Sequence, residues 1–219
     1  MSPVRITHPV ESVPGTTLYE VAGEALGARA GPKLAIVGWT HGNEPVGGNV
    51  IDRVEDLIDD ELIHGSVLTI RANLAAREAG LRHTEDGTDM NRLYDAVSLR
   101  ALRAADPKSL NYEEARVMQL APLLQTCDAI LDLHSTSRPT EAFLVFRDDQ
   151  AHGVMARKLG VPNLVTGLHE NGILQGGLAA NVGLELAQRH PRLGFTFEAG
   201  MHTDPGNTDR GWDVTHRLL

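Results

Sequence analysis

Lys33-Leu34-Ala35-Ile36-Val37-Gly38 runs straight into Trp39-Thr40-His41-Gly42-Asn43-Glu44, and the change of character between the two halves decides how the chain folds. The first half is a short apolar run bounded by Pro32 and Gly38, the pattern of a strand buried on both faces. After Glu44, the residues Val46, Val50, Val54, Leu57 and Ile58 recur at three- and four-residue spacing, with Asp52, Glu55, Asp56 and Asp59 between them. That period predicts an amphipathic helix. A buried strand therefore hands over to a helix, and His41 and Glu44 sit at the handover, with Gly42 expected to let the chain bend between them.

Working outward, Thr17–Val21 reads as a possible edge strand and Val67–Ala72 as a second strand candidate. Asn73 to Arg92 is polar, carries Gly80 and Gly87, shows little periodicity and reads as a long loop, a class that is usually functional or disordered. Tyr112 to about Gln125 is predicted helical, with Ala115, Met118, Ala121 and Leu124 on one stripe and Glu113, Glu114 and Arg116 off it. In Asp128-Ala129-Ile130-Leu131-Asp132-Leu133-His134 strict alternation puts Ile130, Asp132 and His134 on one strand face. Ala142–Phe146 is a further strand, Val154–Leu159 a short helix, Asn163–Leu168 a strand or loop and Ala179–Arg189 a helix. In Leu193–Glu198, Phe195 and Phe197 share one face and Thr196 and Glu198 the other. Strands alternating with helices predict an α/β fold, a three-layer α/β/α arrangement on a mixed, largely parallel sheet with ligands at the strand ends.

Composition narrows the function. With 219 residues and 42% hydrophobic content the chain can bury one full core, so a single domain over residues 1–219 is expected. The net charge of −9 and the lack of a Lys/Arg cluster speak against nucleic acid. No run of about 18 apolar residues suits a membrane span, and the first residues carry no apolar core of signal-peptide length, so a cytoplasmic, soluble protein is expected. Cys127 stands alone among Leu123, Leu124, Ile130 and Leu131 and reads as a buried thiol. Gln175-Gly176-Gly177 lacks the spacing of a phosphate cradle, and His169 and His202 read as exposed loop histidines.

The chemistry begins with His41 and Glu44. A divalent metal such as zinc wants about three His, Asp or Glu ligands, often two close in sequence and one distant. The i, i+3 pair supplies the first two, although a loop histidine beside a helix-starting glutamate has the same spacing. His134, at the end of a buried strand, is a candidate third ligand, with Asp132 two residues earlier placed to hold its other ring nitrogen. A salt bridge to an arginine would account for Asp132 equally well. Glu198 is a candidate general base, and Arg82 and Arg92 are candidates for an oxyanion donor and a carboxylate clamp.

Taken in order, His41-Gly42-Asn43-Glu44, Asp89-Met90-Asn91-Arg92, Asp132-Leu133-His134-Ser135 and Phe197-Glu198-Ala199-Gly200 resemble the aspartoacylase and succinylglutamate desuccinylase family of zinc-carboxypeptidase-like hydrolases. The resemblance implies that His41, Glu44 and His134 ligate one Zn2+ per chain and that Glu198 activates water. It implies that Arg82 polarises the scissile carbonyl, and that Asn91 and Arg92 grip a free carboxylate on a small N-acyl amino acid or short peptide. Where aspartoacylases place an arginine for a second carboxylate, Gln188 stands, with Arg189 and Arg192 nearby. The resemblance also implies a further β-rich domain after the catalytic glutamate, which this chain, ending at Leu219, would lack by truncation or as a minimal form. A zinc carboxypeptidase or peptide amidase and a non-catalytic ligand-binding relative are the competing readings, and the sequence leaves homo-oligomerisation open.

Overall fold

The computed structural model describes residues 5–9, 13–21, 31–61, 65–168, 177–178 and 192–219. Eight strands among the described residues form one sheet: β1 (Arg5–Pro9), β2 (Thr16–Val21), β3 (Lys33–Gly38), β4 (Ser66–Arg71), β5 (Ala129–Thr136), β6 (Phe143–Phe146), β7 (Asn163–Val165) and β8 (Leu193–Met201). Their order across the sheet is β1-β2-β4-β3-β5-β8-β6-β7. The central strands β4, β3, β5 and β8 run parallel, β2 and β6 are antiparallel to their inner neighbours, and β6 and β7 are parallel to each other. The sheet is thus mixed and parallel at its centre, as alternating strands and helices require.

The α-helices among the described residues are α1 (Val46–Glu61), α2 (Leu74–Ala79), α3 (Ala96–Ala104), α4 (Tyr112–Leu124), α5 (Gln150–Leu159) and α6 (Asn207–His216). Alternation along β3 divides the core in two. Leu34 and Ile36 pack with Val46, Val50, Ile51 and Val54 of α1 and with Trp212 and Val214 of α6. Ala35 and Val37 face the opposite layer, where Leu99 and Leu102 of α3 and Val117, Leu120 and Leu124 of α4 cover the sheet. This is the three-layer α/β/α arrangement. No helix among the described residues is long and apolar enough to cross a membrane.

Several local expectations are corrected. Leu57 lies at the exposed rim of α1, and Ile51 takes its place in the core. The strand around Thr17–Val21 is not at the edge, because β1 pairs outside it and β4 inside. Helix α2 lies within the stretch read as loop; at six residues it is too short to show a period, but Asn73 caps its start and Gly80, at φ 67°, ends it. On α4 the buried face includes Glu113 and Arg116, where the hydrophobic pattern favoured Ala115 and Met118. Arg116 is buried because its guanidinium donates to the carbonyls of Ala72, Arg71 and Pro14, tying α4 to the end of β4. Helix α3 adds to the elements the sequence pattern predicts; α6 ends at His216, and Leu218 and Leu219 pack against the core. The helix expected over 179–189 lies outside the described residues.

Cys127 is buried as expected, at 1% exposure. Burial pushes its thiol up to about 11 from an ordinary 9.0, with Lys33 opposing. The unfolded chain therefore ionises Cys127 before the folded chain does, and stability should be unaffected below about pH 9 and fall as pH rises from 9 toward 11. A thiol-reactive dye at pH 8 is expected to label Cys127 stoichiometrically in denaturant and at a small fraction of that rate in the native protein; equal rates would refute the burial.

Candidate functional site

The parallel centre of the sheet brings four chain segments to one edge: the loop after β4, the turn after β3, the end of β5 and the end of β8. His41 and Glu44 come from the turn after β3, His134 from β5 and Glu198 from β8, where it pairs in register with His134. The turn is shaped by Trp39, a buried residue held at φ 54°, its ring under the Arg77 guanidinium at 4.0 Å. Gly42 does not supply a left-handed bend. It is needed for close approach, since a Cβ there would lie 2.1 Å from the backbone carbon of Ala76 in α2.

His41, Glu44 and His134 are all buried, and their ligand atoms lie within 4.8 Å of one another. Glu44 Oε1 is 2.8 Å from His41 Nδ1, Glu44 Oε2 is 3.0 Å from His134 Nδ1, and the two Nδ1 atoms are 3.2 Å apart. A tetrahedral ion with bonds of about 2.0–2.1 Å separates two ligand nitrogens by about 3.3 Å, so the spacing suits a metal. The outer ring nitrogens are committed elsewhere. His134 Nε2 donates to Asp132 Oδ2 at 2.8 Å and His41 Nε2 to Asp89 Oδ1 at 3.1 Å, which leaves both Nδ1 atoms facing inward, where a bound metal would take their lone pairs in place of protons. Thr40 Oγ1 donates to the other Asp132 oxygen at 2.8 Å, so the buried carboxylate is satisfied without an arginine.

With no cation bound, the same acids favour positive charge on His134, a charge that a bound cation would replace. Burial works against charge on His134, but Asp132 and Glu44 outweigh it and push the imidazole well above the usual histidine range. Burial likewise opposes ionisation of Glu44, yet His134 and His41 hold its carboxyl well below the ordinary value. Three carboxylates, Glu44, Asp132 and Asp89, thus surround two imidazoles and the Arg82 guanidinium. A pocket with that surplus of acceptors draws a cation.

Asp89 joins the trio to the loop that carries Arg82, Asn91 and Arg92. Its Oδ1 also accepts from the Asn91 backbone at 3.0 Å, and its Oδ2 accepts from Arg82 Nη2 at 2.9 Å. Arg82 Nη1 reaches Glu44 Oε1 at 3.5 Å. Asn91 is buried, its Oδ1 accepting from Leu178 N at 2.7 Å, whereas Arg92 is exposed. The loop is anchored from below by Glu113, which accepts from Thr84 N at 2.7 Å, Thr84 Oγ1 at 2.8 Å and Asn73 Nδ2 at 3.1 Å. Burial opposes the Glu113 charge, and those donors outweigh it and hold the carboxyl below its usual range.

A cleft of about 230 Å³ opens over His41 and Glu44. Arg82, Asn91 and Arg92 reach it from the loop, and Ser135, Ser137, Glu198 and His202 from the ends of β5 and β8. Glu198 Oε2 is buried there and, among the described residues, has no hydrogen-bond partner. Burial raises its pKa, and the neighbouring Glu44 and Asp132 add to that effect while His134 and His41 oppose it.

His202 is not the exposed loop histidine that its sequence context predicts. It is half-buried and lines the cleft, its Nδ1 2.8 Å from Ser135 Oγ. Its proximity to Glu198 was the only signal for it. Arg192 sits at the opposite end of β8 from Glu198, its guanidinium directed at the Gln125 carbonyl, so it cannot read a substrate group in the cleft. Gln188, Arg189 and His169 lie outside the described residues.

A family model described as the succinylglutamate desuccinylase/aspartoacylase catalytic domain matches residues 30–204. The chain belongs to this family. A "Probable aspartoacylase" from Nostoc sp. is 34% identical over 113 residues, 48% of this chain and 35% of that relative. The chain thus matches about a third of the length of this curated relative. The fold is similar to the succinylglutamate desuccinylase of Chromobacterium violaceum, with TM-score 0.71, 20% identity and coverage of 94% of this chain and 67% of that one. It is also similar to a metallo-carboxypeptidase from Burkholderia cenocepacia, with TM-score 0.66, 16% identity and coverage of 100% and 64%.

This protein pairs the candidate metal-binding histidines with carboxylates, which orient the rings. Substituting Asp132→Asn is expected to weaken metal binding about 10- to 100-fold, as competition with a chelator would measure. Unchanged affinity would remove Asp132 from the metal's support.

Proposed function

We propose that residues 1–219 form the catalytic domain of a zinc-dependent hydrolase that cleaves the amide bond of N-acyl amino acids. The observation that carries this reading is the convergence of His41, Glu44 and His134 beside a cleft into which Glu198 presents a buried carboxylate oxygen that has no partner among the described residues. Family membership supports it. Zinc held by that trio supplies Lewis acidity, polarising a carbonyl and acidifying water.

The remaining work falls to the chain's own side chains. Glu198 takes the proton of the attacking water and returns it to the leaving amine nitrogen, so that amide and water give a carboxylic acid and an amine. Arg82, steadied by Asp89, donates to the scissile carbonyl oxygen as negative charge develops there. Arg92, exposed beside the buried Asn91, grips the free carboxylate of the amino acid and sets the amide over the trio.

The test is a screen of acetyl, formyl and succinyl amino acids, alongside dipeptides, on zinc-loaded protein. Release of the carboxylic acid from the N-acyl substrates is the expected result. Preferential cleavage of dipeptides would replace the deacylase with a peptidase, and stoichiometric metal without turnover of either class would make the protein a binding relative. Glu198→Gln is expected to keep its metal and lose at least about 100-fold in kcat; wild-type turnover would take Glu198 out of the mechanism. Arg92→Ala should raise KM more than it lowers kcat, because a carboxylate clamp acts in ground and transition states alike. A fall in kcat at constant KM would assign Arg92 to the oxyanion.

A further inference from the structure

The strand order fixes which end of a substrate meets which wall. Arg92 belongs to the loop that packs beside His41, whereas His202 follows β8, two strands away from β3 with β5 between them. A substrate whose carboxylate sits at Arg92 and whose amide lies over the trio therefore extends its acyl group toward His202.

The segment that carries this ring is held from several directions. The register of β5 and β8 slips between the His134–Glu198 and Thr136–Met201 pairs, where β8 carries one extra residue and Gly200 takes φ 102°. After this bulge His202 N donates to Thr136 O at 2.9 Å, and Nδ1 lies 2.8 Å from Ser135 Oγ. From α6, Asn207 Nδ2 donates to Met201 O at 2.6 Å and Arg210 Nε to Ala199 O at 2.8 Å, pinning the segment on which the ring rides.

The hydrogen-bond inventory assigns the tautomer. Ser135 is 3% exposed, and among the described residues His202 Nδ1 is the acceptor its hydroxyl meets. A buried O–H left without an acceptor is costly, so Ser135 donates to Nδ1 and the ring proton resides on Nε2. Among the described residues Nε2 meets no protein partner, and His202 lines the cleft. On these grounds, and resting on the deacylase reading above, we infer that His202 is a specificity-determining residue whose Nε2–H reads an acceptor oxygen carried by the acyl chain beyond the scissile carbonyl.

The test uses N-butanoyl and N-methoxyacetyl derivatives of whichever amino acid the screen accepts, since these acyl groups differ by a CH2-to-oxygen replacement, with the N-succinyl derivative as a charged comparison. Wild-type kcat/KM should favour methoxyacetyl over butanoyl by roughly fivefold, the scale of one net hydrogen bond. In His202→Ala the ratio should fall to about one with butanoyl turnover and metal content retained, and His202→Gln, which keeps an N–H donor, should restore part of it. A ratio unchanged in His202→Ala, or an equal fall for all substrates, overturns the assignment, the second result marking His202 as support for Ser135 alone. Wild-type protein that holds its metal and hydrolyses none of these amides overturns the deacylase reading and this inference with it.

Discussion

The carboxylate of Glu44 is the interaction on which the rest of the site depends. Buried at 2% exposure, it is met by His41, His134, Arg82 and the backbone N–H of Ser135 at 3.0 Å. An isolated carboxylate at that depth would give up its charge, because the desolvation cost far exceeds what a neutral neighbour returns. Its neighbours are in turn fixed by carboxylates of their own, Asp132 behind His134 and Asp89 behind His41. The result is a pocket of alternating charge in which both imidazoles present the same nitrogen inward and neither can turn without breaking a bond to a buried acid.

The sheet makes this arrangement possible. Parallel strands deliver the chain repeatedly to the same edge, so residues ninety or more positions apart, such as His41 and His134, meet there without a special loop. The antiparallel outer strands lie on either side of this centre. The layer of α3 and α4 does more than cover the sheet. Through Glu113 and Thr84 it fixes the base of the segment that carries Arg82 and Asp89, and through Asp89 that segment reaches a candidate metal ligand. Buried polar contacts thus link the outer helix layer to the centre of the cleft.

What could be read from the sequence was whatever hydrophobic period expresses. The apolar run ending at Gly38 and the helical spacing after Glu44 located the turn that carries His41 and Glu44, and alternation along β5 put Asp132 and His134 on one face. The residues that escaped are polar ones on buried faces. Glu113 and Arg116 look solvent-exposed in any hydrophobic pattern, and they are interior because their partners are backbone groups and side chains distant in sequence. Helix α2 was hidden by its length, and the place of β2 by a pairing with β1 that no local period records. His202 escaped because a bulge, which shifts strand register without leaving a composition signature, decides where its ring points.

The contact at Gly42 has a mechanical meaning. Backbone meets backbone there, with Gly42 N also donating to Arg82 O at 3.2 Å, so the turn bearing two of the trio and the segment bearing the guanidinium are coupled without an intervening side chain. Side chains can yield by changing rotamer, whereas two main chains in contact can only move together. The cleft should therefore open and close as a unit on this side, and natural variation should spare the turn from 39 to 44 and the first residues of α2 together, even where none of them would touch a substrate.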